Sequence, residues 1–270
     1  MNRRSFLGGG AALALAACAP APDAVVAPHI LGGQAGDLAL SEAPTRVTAD
    51  GTRVALDRVE HLLVRTSPSG EVRSIAGGQG FEIGELNGPS HLAVLSDGDV
   101  WVLDRGNGRL QRFDADGEVV DVLDDPDASA LDVMADDTLI IARAARQEVA
   151  LVSPSGAERV VDVGMAPVDV APGASGAVLV LGRREVLEIR GGAVRTVVRE
   201  GLVWAAGVAC TADGRIHVAD AGTNALLVLD GSGRELERIA LRLADGRPAQ
   251  PIGLYASFDR LDVRVVPAAL

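Results

Sequence analysis

The sequence predicts an all-β fold, a six-bladed β-propeller closed by its N-terminal strand and preceded by a signal peptide. Three observations carry this reading. Short apolar runs alternate with Asp-Gly and other Gly-rich turns along most of the chain. The pattern returns about every 40 residues, the length of a four-stranded blade. Beyond the leader no apolar period of 3.6 residues is sustained, so helices are not expected.

The clearest copy of the repeat is NGPSHLAVLSDGDVWVLDRGNGRLQRFDADGEV, Asn87 to Val119. It parses as a run at His91–Leu95, a Ser-Asp-Gly turn, a run at Val100–Leu103, the turn Asp104–Gly108, a run at Arg109–Phe113 and an Asp-Ala-Asp-Gly turn into Glu118–Leu123. That is a meander of four strands. A second good copy covers Ala205–Ile239, and looser copies begin at Pro44, Ala128, Ala166 and Pro251, the last one truncated. Taking the first inter-strand turn of each copy as the register gives Asp50, Asp97, Asp136, Ser175, Asp213 and Asp259, spaced by 38 to 47 residues. Six copies predict six blades.

The ends of the chain predict how the ring closes. The final copy lacks its outer strands, and His29–Pro44 reads like Ser74–Pro89, each running through a Gly-Gly-Gln corner into the proline that opens a blade. The strand at His29–Gly33 is therefore expected to complete the last blade, leaving no unpaired edge.

The first residues read as an address. MNRRSFLGGGAALALAAC has a basic start, a short apolar stretch and a small-residue exit. Its apolar run is too short for a bilayer-spanning helix, which needs about 20 residues. Arg3 and Arg4 sit in a segment that resembles the twin-arginine (Tat) export consensus, and Leu15–Cys18 resembles a bacterial lipobox whose cysteine becomes lipidated. The expected organisation is a signal peptide over 1–17, a lipid-anchored Ala/Pro linker over 18–28 and the propeller over 29–270, on the periplasmic side of a bacterial membrane. With Cys18 lipidated, Cys210 has no disulfide partner; in its apolar run it reads as an inert core residue.

Composition narrows function by exclusion. The formal net charge is −12, and every basic residue is arginine, dispersed along the chain. That lacks the footprint of a nucleic-acid binder. Aromatic residues are only 3% of the chain, too few for a stacking platform. No nucleophile elbow, haem-attachment motif or phosphate-cradling glycine loop is present, and no cofactor is expected.

The segment GPSHLAVLSDGDVWVLDRGNGRLQRFDADGEV resembles an NHL repeat, with His91 in place of the usual glycine and Trp101 in place of the usual tyrosine. Ala205–Ile239 is the next best fit, with Thr223 and Ala225 departing from the pattern. The resemblance implies an NHL/TolB-like propeller and no particular activity. Within the motif, Asp104, Asn107 and Arg109 read as a device that holds a tight turn, since short polar side chains accept from nearby backbone N–H groups. Asp220 repeats it in another blade.

Function in a propeller is expected where the innermost strands converge. Aligning those strands places Arg46, Asp132, Asp169 and Tyr255 in one column with Ala93 and Ala209, and His91 in the next. These five polar residues are the candidate funnel. They either satisfy one another or bind a ligand, because burying them unpaired is costly.

Two enzyme resemblances test the funnel. Glu42–Pro44 and Asn87–Leu92 are similar to segments of gluconolactonase/regucalcin-type six-bladed hydrolases, which implies a divalent metal with Glu42 as one ligand. Ser90, His91 and Ala206 stand where that resemblance requires oxygen ligands, and alanine cannot ligate. The amidating lyase, also a six-bladed NHL relative, implies three channel histidines on zinc. Of His29, His61, His91 and His217, only His91 falls on an innermost strand. The expectation is therefore a non-catalytic scaffold that acts as a monomer and presents loops and channel mouth to an envelope protein or small ligand. A metal-assisted hydrolase of lactones or esters is the alternative.

Overall fold

The computed structural model describes residues 38–41, 43–243, 245–257 and 260–268. The leader with Arg3 and Arg4, Cys18, the linker 18–28, the strand expected at His29–Gly33 and Glu42 lie outside the described residues.

The described chain is an all-β propeller. Blade one holds β2 (Thr45–Val47), β3 (Arg53–Asp57), β4 (Leu62–Thr66) and β5 (Val72–Gly77). Blade two holds β6 (Pro89–Val94), β7 (Val100–Asp104), β8 (Arg109–Phe113) and β9 (Val119–Asp124). Blade three holds β10 (Ala130–Val133), β11 (Leu139–Arg143), β12 (Glu148–Val152) and β13 (Glu158–Asp162). Blade four holds β14 (Asp169–Pro172), β15 (Val178–Leu181), β16 (Val186–Arg190) and β17 (Ala193–Val198). Blade five holds β18 (Ala205–Cys210), β19 (Ile216–Asp220), β20 (Ala225–Leu229) and β21 (Glu235–Ala240). Each is an antiparallel meander in sequence order. The described helical structure is two short 3-10 turns, Arg105–Asn107 and Ala174–Gly176.

The six-blade expectation is met by five complete blades, not six. The remaining sheet has three strands, ordered β1 (Leu38–Ser41), β23 (Arg260–Pro267), β22 (Ala249–Ser257). An N-terminal strand joins this sheet, at Leu38–Ser41; the strand expected at His29–Gly33 lies outside the described residues. β1 lies third in the sheet and runs parallel to β23, Leu38 opposite Leu261. Antiparallel direction is imposed by short hairpins, and no hairpin joins these two strands, so the chain can enter in either direction.

First strands touch first strands around the ring, with β22 meeting both β18 and β2, which puts them at the centre. The burial pattern explains the sequence pattern. Second strands such as VWVLD and IHVAD are buried at every position because a neighbouring blade covers each face. Outer strands such as ELERIA are mostly exposed. The hairpin turns follow the Asp-Gly pairs. At Asp97-Gly98, Asp97 Oδ1 accepts the N–H of Asp99 (2.9 Å), and Gly98 takes φ 91°, where a side chain would be strained.

The core is divided between the blades. One apolar cluster fills each of the five joints from blade one round to the last sheet; Leu56, Leu92, Val102 and Phe113 belong to the first of them. Among the described residues, the joint that closes the ring carries polar contacts from Arg46 instead.

Candidate functional site

The innermost strands line a channel with two mouths. The upper mouth carries the N-terminal ends of these strands, and the lower mouth carries their C-terminal ends and the Asp-Gly turns. Arg46 on β2 spans the channel wall. Its Nη2 donates to Asp132 Oδ2 on β10 (2.9 Å), its Nη1 to the Ala256 carbonyl on β22 (3.1 Å), and its guanidinium lies 4.8 Å from the centre of the Tyr255 ring. All three side chains are largely buried. Asp169 on β14 accepts from the backbone N–H of Val170 (2.9 Å) and, across the blade boundary, of Val208 on β18 (3.0 Å). An innermost strand has an unpaired backbone edge facing the channel, so these side chains supply partners that the ladder cannot.

The strand register corrects the aligned column at Asp169, and the column does not extend to Tyr255, which pairs with Asp262 seven positions later across a shorter turn. Arg46, Ala93, Asp132 and Ala209 each pair with the residue eight positions later, at Val54, Trp101, Ile140 and His217. In blade four that position is Ala171, opposite Leu179; Asp169 pairs with Leu181, one pleat repeat higher. The turn from β14 to β15 spans five residues, 173–177, as its counterparts do, so the column member four residues before Ser175 is Ala171, and Asp169 stands two residues too early for the column. Asp169 still feels the charge of Asp132. Burial, helped by that like charge, pushes its carboxyl up to about 7. Burial likewise raises Asp132, against the opposing pull of Arg46.

His91 lies near the upper mouth, its Nδ1 3.0 Å from Ser90 Oγ. Burial in the channel wall and the charges of Arg264, Arg58, Arg46 and Arg105 push its imidazole down to about 3, so it is neutral at physiological pH. The lower mouth opens into a cavity of about 620 Å³. Val47, Val94 and Val133 form its apolar collar, and Arg46 and Asp132 lie on its floor. His91, Asp169 and Tyr255 are not among its lining residues, so the five predicted residues do not share one chamber. Cys210 reaches this cavity, but burial raises its thiol pKa, the opposite of what a nucleophile needs.

The NHL-like motif does more than hold its own turn. Asp104 is fully buried; it pairs with Arg109 as expected (2.9 Å) and accepts from Asn107 Nδ2 (2.8 Å). It also accepts the N–H of Asn87 from the preceding loop (2.6 Å). Asn107 donates to the Gly80 carbonyl, Arg109 to those of Glu82 and Glu85, and Gln111 clamps Gly84 and Glu85. The loop 78–88 is thus fastened along its length, yet Phe81 is 76% and Ile83 67% exposed. In blade five, Asp220 accepts the N–H groups of Val203 and Trp204. Trp204 remains 52% exposed, with Arg183 stacked 4.0 Å from its ring. Both apolar projections face the upper side, three blades apart. Sequence reasoning missed them because a loop Phe or Trp carries no sign of its exposure.

The other described histidines lie away from the centre. His61 sits in the β3–β4 turn, its Nδ1 3.1 Å from the Leu86 carbonyl, and His217 is buried on a second strand. Among the described residues, no three His, Cys, Asp or Glu side chains are grouped to hold a metal ion.

Residues 86–113 match the NHL repeat family. No curated protein matches the chain. Among solved structures, a streptogramin B lyase is similar at 15% identity and a TM-score of 0.64, over 79% of this chain and 72% of that one. A catalytically inactive virginiamycin B lyase from Staphylococcus aureus with quinupristin is similar at 14% identity and a TM-score of 0.65, over 81% and 76%. A nidogen/laminin complex gives 14% identity and a TM-score of 0.61, over 84% and 86%. At these identities the likeness is one of fold.

Proposed function

We propose that this chain is a non-catalytic binding scaffold of the bacterial cell envelope. In this reading it is a six-bladed NHL propeller, the three-stranded sheet counting as the sixth blade. It is exported through the segment around Arg3 and Arg4, anchored by lipid on Cys18, and presents its upper loops and channel mouth to a protein or small ligand. One contrast carries the reading. Arg46, Asp132 and Asp169 in the channel are engaged with one another and with strand edges, while Phe81, Ile83 and Trp204 are held out in solvent on fastened loops. A large apolar side chain held in place before binding loses little entropy on contact, which is the property of an interface anchor.

The test is capture from solubilised membranes with the tagged full chain beside a Phe81→Ser/Trp204→Ser variant. A partner retained by the parent and lost by the variant supports the scaffold; identical captures refute the role of these loops. Fractionation of a Cys18→Ala variant tests the anchor, which predicts release into the soluble periplasm.

The lactone- or ester-hydrolase alternative has one observation in its favour, the raised pKa of Asp169, which suits general acid–base work near neutrality. Against it, both Asp169 oxygens accept backbone N–H groups, and Asp132 is held by Arg46. A rise in melting temperature with micromolar Ca²⁺ or Zn²⁺, abolished by Asp132→Ala or Glu42→Ala, would favour the hydrolase.

A further inference from the structure

Three arginines gather at the upper mouth around the start of β6. Arg58 Nε donates to the Pro89 carbonyl (3.2 Å), which brings it beside Ser90 and His91. Arg105 leads the short turn whose next residue, Gly106, donates to the Asn87 carbonyl at the entrance to the same strand (2.8 Å). Arg264 on β23 is in register with Gly253 on β22. A Cβ on Gly253 would lie 3.3 Å from the Tyr255 hydroxyl and 3.6 Å from Arg264 Cβ. The bare glycine therefore lets the tyrosine hydroxyl and the arginine stem approach over one point of the strand.

What these arginines lack is informative. Eleven arginines form ion pairs with carboxylates among the described residues; Arg58, Arg105 and Arg264 are among those that form none, and they differ from the rest in lying close enough to act on one another and on His91. Arg264 Nε is buried with no acceptor, a costly state for a charged donor. Arg264 and Arg105 also repel Arg58, and every charge acting on His91 is an arginine. A protein that keeps like charges together in a partly desolvated mouth has left a place for the opposite charge.

We infer that the upper mouth binds a small oxyanion ligand, one bearing carboxylate or phosphate groups, held by Arg58, Arg105 and Arg264 with the Tyr255 and Ser90 hydroxyls beside them. This deepens the binding reading and rests on it. The planar guanidinium fork matches a carboxylate or phosphate edge bidentately, and neutral His91 offers a donor without adding charge. The adjoining apolar projections would then contact the rest of the ligand or the molecule that delivers it.

Titration calorimetry of the full chain with inorganic phosphate, pyrophosphate and citrate tests this, with glycerol as the neutral control. The expected result is saturable binding of at least one anion at a Kd of about 1 mM or tighter. Arg58→Gln and Arg105→Gln, both at exposed positions, should each weaken it about tenfold, while Arg234→Gln on the opposite face leaves it within about twofold. Arg264→Gln should abolish it; because that variant removes a partly buried group, the exposed pair decides if it fails to fold. Tighter binding of citrate than of phosphate and pyrophosphate would point to a carboxylate ligand, and the reverse order to a phosphate. The inference is overturned if none of the three anions binds saturably, or if Arg234→Gln weakens binding as much as Arg58→Gln. Should the anions fail while the capture experiment still retains a partner through Phe81 and Trp204, the oxyanion site alone falls. If both fail, the binding reading falls with it.

Discussion

Arg46 joins three sheets with one side chain: it starts in blade one, pairs with Asp132 in blade three and reaches Ala256 and Tyr255 in the last sheet. Removing one partner of a buried pair strands the other charge, typically at a cost of about 3–5 kcal/mol. Arg46→Met should therefore destabilise the fold by about 3 kcal/mol at pH 8. Adding Asp132→Asn should restore part of it, as read by urea denaturation; an unchanged midpoint in the single variant would show the pair to be dispensable. His91 and Asp169 make opposite pH predictions. His91 is held neutral down to about 3, so its contribution is present above about 6.5, its unfolded pKa, and is lost as pH falls toward 3. Asp169 is held protonated up to about 7, so its contribution is present below 3.8 and is lost as pH rises toward 7. Between pH 4 and 6.5 the two slopes oppose. Relative to the parent, His91→Gln should gain stability as pH falls from 6.5 to 4, and Asp169→Asn should gain as it rises from 4 to 7. Denaturation midpoints across that range read both. The sequence exposed these residues because a charged group on an apolar inner strand is conspicuous. It did not reveal the burial that raises the Asp169 carboxyl, which depends on the strands packed on either side of β14.

At the scale of elements, the Asp-Gly turns and the four-strand meander were legible because hairpins are local: the turn residues and the alternating apolar runs decide them within a dozen positions. The fastening of loop 78–88 was not legible. Asp104 and Asn87 are 17 residues apart, and nothing local shows that the carboxylate reaches past its own turn. Asp104→Ala leaves Asn87 N–H, Asn107 and Arg109 without their shared acceptor. The expected cost is about 2–3 kcal/mol, with the loop losing more order than the blade. Hydrogen exchange should show faster exchange at Gly80–Glu85 than at β7; uniform acceleration across blade two would mean the carboxylate supports the sheet rather than the loop.

For the whole molecule, ring closure decides stability. Pairing of β1 with β23 covers an edge that would otherwise be open, and open edges recruit other chains. A chain beginning at Glu42 should melt several degrees below one beginning at Leu38 and elute partly as larger species on size exclusion. Equal melting temperatures and a sharp monomer peak would show that β1 contributes little.

By itself the sequence determined the blade grammar, the near-absence of helix and which innermost strands carry polar residues, because each rests on short-range periodicity or on a charge set among apolar neighbours. Only the tertiary structure decided that the last sheet holds three strands with β1 parallel, that Arg46 bridges three sheets, and that three arginines without carboxylate partners meet at one mouth. Those facts depend on contacts between segments up to 210 residues apart, such as Arg46 with Ala256. Distant segments meet only when the ring shuts, and no local pattern encodes which groups will then be left facing one another.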